Sequence, residues 1–274
     1  MSGLEDHAGD MVRKSRMGLG IDVETVLKDA GIDQHALEQF ESDGIILQNV
    51  QWETLCKRLQ LDTDKLKRIL SGWTPKQISV ESIPQVRQIM TDDGGMEVNA
   101  YLVWDEASRD AALFDTGWNP TPIKKCVEEY QLSLKHLFIT HQHHDHIAAI
   151  TPLRKSYPEI QLWAQGQGVP RQNQVAQGQN FSLGDLLIEA RLTPGHAADG
   201  VTYVIQGLSG DYSQAAIVGD AIFAGSMGGA PAHFDLAKQK IRESILSLSH
   251  PTLICPGHGP LTTLEEELAN NPFF

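Results

Sequence analysis

The sequence predicts an α/β layered domain preceded by a small all-α helical domain, and three observations predict it. Residues 21–70 carry apolar positions at helical spacing, Val23, Val26 and Leu27 falling at i, i+3 and i+4. From residue 85 onward short apolar runs of strand type alternate with helix-type segments, which is how a sheet covered by helices reads. One such run, 134–140, ends in a dense cluster of His141, His143, Asp145 and His146, and α/β proteins hold their sites at the carboxyl ends of strands. The expected division is residues 1–75 for the helical domain and 76–274 for the α/β domain, with 71–80 as the linker.

The elements follow in order. Residues 1–15 are polar and read as loose. Asp22 is placed to cap a first helix that stops at Gly31, and Asp33 to start a second that ends at Gly44. Trp52, Leu55, Cys56 and Leu59 form a third apolar stripe, residues 62–70 a fourth, and Gly72 and Pro75 punctuate the end. Residues 85–90 and 97–104 read as strands flanking a turn at Thr91, Asp92, Asp93, Gly94 and Gly95. Residues 111–115 give a third strand, closed by Thr116 and Gly117. A helix over 121–130 feeds the strand at 134–140, a helix over 147–157 follows, and 160–163 is a further strand. Residues 165–179 are rich in Gln and Gly without periodicity and read as a loop near the mouth of the site.

Imidazole nitrogen and carboxylate oxygen are donors that suit zinc or a similar first-row metal. His141 and His143 are two apart and face the same way on an extended chain. Asp145 and His146 come where the chain must turn. Four donors in one short loop are more than a single tetrahedral ion easily collects, so the spacing points to two metals.

His-x-His-x-Asp-His behind a strand resembles the metallo-β-lactamase fold, and the similarity runs through residues 80–274. Thr193, Pro194, Gly195 and His196 look like that family's third motif. Gly219 and Asp220 look like the fourth, and Cys255, Pro256, Gly257 and His258 like the fifth. The resemblance implies an αββα sandwich. It implies that His141, His143 and His196 hold one metal, that Asp145, His146 and His258 hold a second, and that Asp220 bridges both through its two oxygens. Asp145 and Asp220 are then also the catalytic carboxylates. It places Asp115, Thr116 and Gly117 beneath the metal loop as its support, and it leaves His144 in a variable position.

Within the fold the sequence looks most like glyoxalase II-like (hydroxyacylglutathione hydrolase-like) thioesterases. These place a Lys or Arg in the stretch matching residues 225–230, where this chain has no basic residue. The implied activity is a metal-dependent hydrolase in which a metal-bridging hydroxide attacks a small thioester or ester. The implied cofactors are two divalent ions, zinc first, with iron or manganese as alternatives. A persulfide dioxygenase-like enzyme using one iron is the competing reading. A regulator with a metal-domain sensor and an N-terminal output module is another.

The formal charge of −13 argues against nucleic acid and anionic lipid as partners. Residues 51–62 resemble the later helices of Cro/repressor-type helix-turn-helix domains, yet residues 1–75 hold 13 Asp and Glu against 9 Lys and Arg. A docking, dimerisation or regulatory module, making a homodimer or protein contact through residues 1–75, fits that charge better than DNA binding. Three scattered cysteines, Cys56, Cys126 and Cys255, read as reduced thiols of a cytoplasmic protein. No apolar stretch approaches the ~20 residues of a membrane span. A small-molecule substrate is the expected partner.

Overall fold

The computed structural model describes residues 3–274. It opens with α1 (Ala8–Gly18), α2 (Val23–Ala30), α3 (Gln34–Asp43), α4 (Trp52–Leu59) and α5 (Thr63–Leu70). Asp22, Asp33 and Asp62 cap α2, α3 and α5, their carboxylates accepting from the backbone N–H of Thr25, Ala36 and Lys65. Gly31 and Gly44 close α2 and α3 at φ of 70° and 74°. The expectation that residues 1–15 are loose is corrected from Ala8 onward by α1, and residues 1–2 of that stretch lie outside the described residues. His7 accepts from the Asp10 N–H while the Asp10 carboxylate accepts from that of His7, a reciprocal cap. Ala8, Met11 and Val12 then give one buried stripe, too short to stand out among polar neighbours in the sequence.

The first sheet has five strands in the order β1 (Val86–Asp93), β2 (Met96–Trp104), β3 (Asp110–Phe114), β4 (Ser133–Phe138) and β5 (Gln161–Trp163). Helices α6 (Thr121–Glu129), α7 (His144–Ile147) and α8 (Ile150–Ser156) belong to the same half. The helix expected over 147–157 is α8, which starts only at Ile150; Ile147 instead closes the short α7, with Ala148 and Ala149 between the two.

The second sheet uses β6 (Gln179–Leu183), β7 (Leu186–Leu192), β8 (Val201–Gln206), β9 (Gln214–Gly219), β12 (Thr252–Pro256) and β13 (Thr262–Thr263), in the order β13-β12-β9-β8-β7-β6. A small hairpin of β10 (Ile222–Phe223) and β11 (Ser226–Met227), with α9 (Phe234–Ser244) and α10 (Leu264–Asn270), completes the chain.

Strand alternation builds the layers. Tyr101 and Val103 of β2 face the second sheet, where they join Phe114, Phe138, Tyr203 and Ile217. Ala100, Leu102 and Trp104 face the other way onto Ile123 of α6 and Leu153 of α8. Because β2 is covered on both faces, its run 98–104 is buried throughout and apolar except at Asn99. On the second sheet Ala215, Ile217 and Cys255 point inward, while Ala216, Val218 and Ile254 point outward. That is an αββα sandwich, with the helical domain at its amino-terminal end.

The outward face of the second sheet is covered by α9 and α10 and then by the N-terminal helices. Met11, Phe40, Leu59 and Leu66 share one buried cluster with Phe234, Ile241 and Leu264. Polar contacts follow the same seam. The Asp62 N–H donates to the Pro272 carbonyl at 2.7 Å, and Lys65 and Arg68 donate to the carbonyls of Leu268 and Ala269 at 2.8 and 2.9 Å. The last carbonyls of α10 therefore find their partners on α5. Cys56 is buried in this cluster and Cys255 between the sheets, while Cys126 is half-buried.

Candidate metal centre

The site lies where β4, β9 and β12 end. β3 and β4 run parallel, as do β9 and β12, so their carboxyl ends release loops on the same edge of each sheet. The loop after β4 carries His141, His143, Asp145 and His146. Asp220 follows β9, His258 follows β12, and His196 sits between β7 and β8.

Two groups form. His141, His143, His196 and Asp220 are one, and Asp145, His146 and His258 the other, the donor atoms of each group lying within 4.8 Å of one another. Asp220 faces both. Its Oδ2 is 3.9 Å from His141 Nε2, 3.5 Å from His196 Nε2 and 3.4 Å from His258 Nε2, while Oδ1 is 3.3 Å from His146 Nε2. Asp145 Oδ2 lies 3.2 Å from His258 Nε2 and 3.6 Å from His146 Nε2. His143 presents Nδ1, 3.0 Å from His141 Nε2 and 3.1 Å from His196 Nε2.

These residues fit a metal. Donors 2.0–2.2 Å from a tetrahedral ion sit roughly 3.3 Å apart, and the distances above cluster about that value. His146 Nε2 and Asp220 Oδ1 are buried and have no hydrogen-bond partner, a cost the fold would not carry for inert groups. Gly257 clears the ground, since a Cβ there would stand 2.2 Å from Asp220 Oδ1 and 2.7 Å from the His146 ring.

The remaining imidazole nitrogens are held from behind. His146 Nδ1 meets Asp115 Oδ2 at 2.8 Å, His196 Nδ1 the Gly229 carbonyl at 3.0 Å, and His258 Nδ1 the Glu97 carbonyl at 2.6 Å. His141 Nδ1 meets Thr140 Oγ1 at 3.1 Å. Such partners fix which nitrogen points at the ion. Asp115 also accepts from the Thr140 backbone N–H and hydroxyl, both at 2.7 Å, and does so from φ 57°, a left-handed conformation that a non-glycine residue adopts only when its surroundings enforce it. Asp115, Thr116 and Gly117 thus lie under the metal loop.

Charge in the site is unevenly placed. Burial drives the His141 imidazole down to about 2. Burial also opposes charge on His146 and His258, but carboxylates outweigh it: Asp115 and Asp220 raise His146 to about 10, and Asp145 and Asp220 raise His258 to about 11. Asp220 is held well below the ordinary carboxylate range, its burial overcome by His146 and His258. A buried cluster that draws this much positive charge suits a divalent cation.

His143 and His144 are exposed and mark the open side. The His144 ring lies edge-on to Trp118, with ring centroids 5.6 Å apart. A cavity of about 470 Å³ is lined by Gln142, Gln165, Gly166, Pro194 and Asp199. Gln142, between His141 and His143, donates to the Gln165 carbonyl at 2.6 Å, so the start of the Gln- and Gly-rich loop touches the segment that carries the ligands. Sequence reasoning missed Asn99 and Tyr101, which donate to the Pro256 carbonyl at 3.0 and 2.7 Å and steady the His258 loop. An Asn inside an apolar strand was the available signal. It also missed Lys14 of α1, whose ammonium donates to the Met227 carbonyl at 3.0 Å, inside the segment 225–230 that has no basic residue of its own.

The family model for the metallo-beta-lactamase superfamily matches residues 93–258, from the end of β1 to the last clustered histidine. The chain belongs to the metallo-β-lactamase superfamily. Among superfamily relatives, hydroxyacylglutathione hydrolase GloC of Haemophilus influenzae is 25% identical over 201 residues, which is 64% of this chain and 92% of its own. The mitochondrial persulfide dioxygenase ETHE1 of Homo sapiens is 30% identical over 181 residues, 63% of this chain and 69% of its own. The crystal structure of ETHE1 from Myxococcus xanthus matches with a TM-score of 0.57 at 26% identity, covering 68% of this chain and 83% of that one. Residues 3–92 lie outside the segment that the superfamily model matches.

Proposed function

We propose that the protein is a dinuclear metal-dependent hydrolase of a small thioester or ester, similar to glyoxalase II. The observation that carries this reading is Asp220, whose carboxylate lies against imidazoles of both groups, Oδ1 3.3 Å from His146 and Oδ2 3.5 and 3.4 Å from His196 and His258. His141, His143 and His196 would hold one ion, Asp145, His146 and His258 the other, and Asp220 both. Bound there, two divalent ions supply Lewis acidity and lower the pKa of water so that hydroxide is available at neutral pH. The chain does the rest. Asp115, Thr140 and the carbonyls of Glu97 and Gly229 keep the imidazoles aimed. Asp145 and Asp220 would hold the ions with carboxylate oxygens beside the nucleophile, and Asp220, kept ionised by His146 and His258, stays a ligand. The open side at His143 and His144 admits the acyl group. The donor set of imidazole and carboxylate favours zinc, with iron or manganese able to replace it.

The experiment is metal content per chain paired with hydrolysis of S-lactoylglutathione. About two ions with turnover supports the glyoxalase II-like reading, and two ions without turnover moves the substrate away from glutathione. One iron with oxygen uptake on a persulfide sinks it in favour of a persulfide dioxygenase-like enzyme, the second reading, which the 30% identity to human ETHE1 favours.

Residues 1–75 and 76–274 are proposed as the two parts of the chain, the second carrying the chemistry and the first a support for it. A small-molecule substrate is the proposed partner. Free Cys56, Cys126 and Cys255 support a reducing, cytoplasmic setting. Among the described residues no helix is long and apolar enough to cross a membrane.

A further inference from the structure

We propose that Lys14 and Asp6, from the helical part outside the superfamily segment, set the metal affinity of the group His141, His143, His196 and Asp220. They would do so by fixing the backbone that orients His196. The inference rests on the reading of that group as a metal site.

His196 Nδ1 has its hydrogen-bond partner at the Gly229 carbonyl. Its other neighbour on that loop is Gly228, where a Cβ would come within 1.9 Å of the Asp220 carbonyl and 3.0 Å of the His196 ring. The segment that presents both glycines begins at β11, and β11 pairs with β10 through two residues each way. A two-residue ladder does not hold a loop in register by itself. It is braced from both sides instead.

On one side Gly225 donates its N–H to the Glu267 carboxylate at 3.1 Å, and Asn271 Nδ2 donates to the Ser226 carbonyl at 2.8 Å. Both partners come from the C-terminal part of the chain. On the other side stand the N-terminal residues. The Ser226 hydroxyl donates to Asp6 Oδ2 at 2.5 Å, Asp6 pairs with the Lys14 ammonium, and that ammonium donates to the Met227 carbonyl at 3.0 Å. Lys14 also stands 5.0 Å from the Phe223 ring centroid. Side chains of Lys14 and Asp6 are 17% and 8% exposed, so this pair is sheltered from competition by water.

Only Gly228 separates the Met227 carbonyl from the Gly229 carbonyl. Freeing the first lets the second swing, and His196 then loses the partner that sets its tautomer. Loss of such a partner weakens metal binding about tenfold to a hundredfold. Lys14 and Asp6 are positioning residues, since neither reaches the donor atoms. His258 touches the hairpin through the Phe223 ring but has its hydrogen-bond partner at the Glu97 carbonyl, outside this loop, so the second group should be spared.

The test is a titration of the metal-free full-length chain with Zn2+ against a chromophoric chelator, resolving two binding steps. In Lys14→Met one step should weaken at least tenfold while the other stays within twofold, and Lys14→Arg should recover most of the loss. A lone charge left on Asp6 could unfold the variant, so Lys14→Met is also made together with Asp6→Leu, which leaves no unpaired buried charge. The double variant should fold and show the same selective weakening. Both steps unchanged in the double variant, or both weakened equally, overturns the inference. A wild-type chain that takes up one ion instead fails the dinuclear reading, which is seen before any variant is compared.

Discussion

Asp115 receives three hydrogen bonds, from the Thr140 N–H, the Thr140 hydroxyl and the His146 imidazole. Only the last bears on an ion, yet the other two decide where the carboxylate stands. Asp115→Asn keeps the shape and removes the charge. We expect it to cut metal affinity about tenfold to a hundredfold, read as metal retained per chain after dialysis, with little change in the fold by circular dichroism. Gly257→Ala tests space rather than charge, because the added methyl would meet Asp220 Oδ1 at 2.2 Å. It should cost about 1–3 kcal/mol in overpacking and lower metal content, measured by urea unfolding and by elemental analysis of the same sample. At this scale the sequence was readable wherever a side chain carries the chemistry. His141, His143, Asp145, His146, His196, Asp220 and His258 stand out by residue type and come together in space. The Glu97 and Gly229 carbonyls that aim His258 and His196 were not readable, since every residue has a carbonyl and only the fold selects which one serves.

Helix α10 shows what one element can do by taking partners from elsewhere in the chain. Its Glu267 is fully buried and accepts from Thr262, Gly225 and Asn271. Burial outweighs these donors and pushes the carboxyl up to about 7 from its ordinary 4.5. The folded state therefore binds the proton more tightly than the unfolded chain does. This contribution to stability is fully present below pH 4.5 and is lost as pH rises through about 7, a difference of about 3 kcal/mol. Glu267→Gln has no proton to lose, so its urea midpoint should stay flat between pH 5 and 8 while that of the wild type falls. A parallel fall in both would assign the slope to other groups. Elements were legible where caps and periodicity are local, as with Asp22 and Gly31 on α2. Helix α1 escaped because its cap is a histidine and its apolar stripe is brief.

Across the whole molecule the outward face of the second sheet is finished by the N-terminal helices. Met11, Leu59 and Leu66 are buried at 0% exposure in the cluster that also holds Phe234 and Leu264. Removing residues 1–75 would bare that face and free the α10 carbonyls. A chain of residues 76–274, although it contains the whole superfamily segment, should be aggregation-prone on expression. If it instead gave a monodisperse protein with wild-type thermal stability, the shared core would not matter to folding. The sequence suggested two parts because composition and periodicity change near residue 75. It could not tell that they close over one another, since nothing local encodes which helix face meets which sheet.

Cys56 lies in the cluster shared by the helices and the second sheet, Cys255 lies between the two sheets, and Cys126 is half-buried on the far side. Burial raises the Cys56 thiol to about 11 and drives that of Cys255 higher still, so neither reacts until its surroundings part. The chain thereby carries its own set of clocks. Under native conditions an alkylating reagent should mark Cys126 first. The order in which Cys56 and Cys255 follow, read by mass spectrometry of timed digests, will rank how often each interior breathes. If the two are marked at one rate, helices and sandwich open as a single unit.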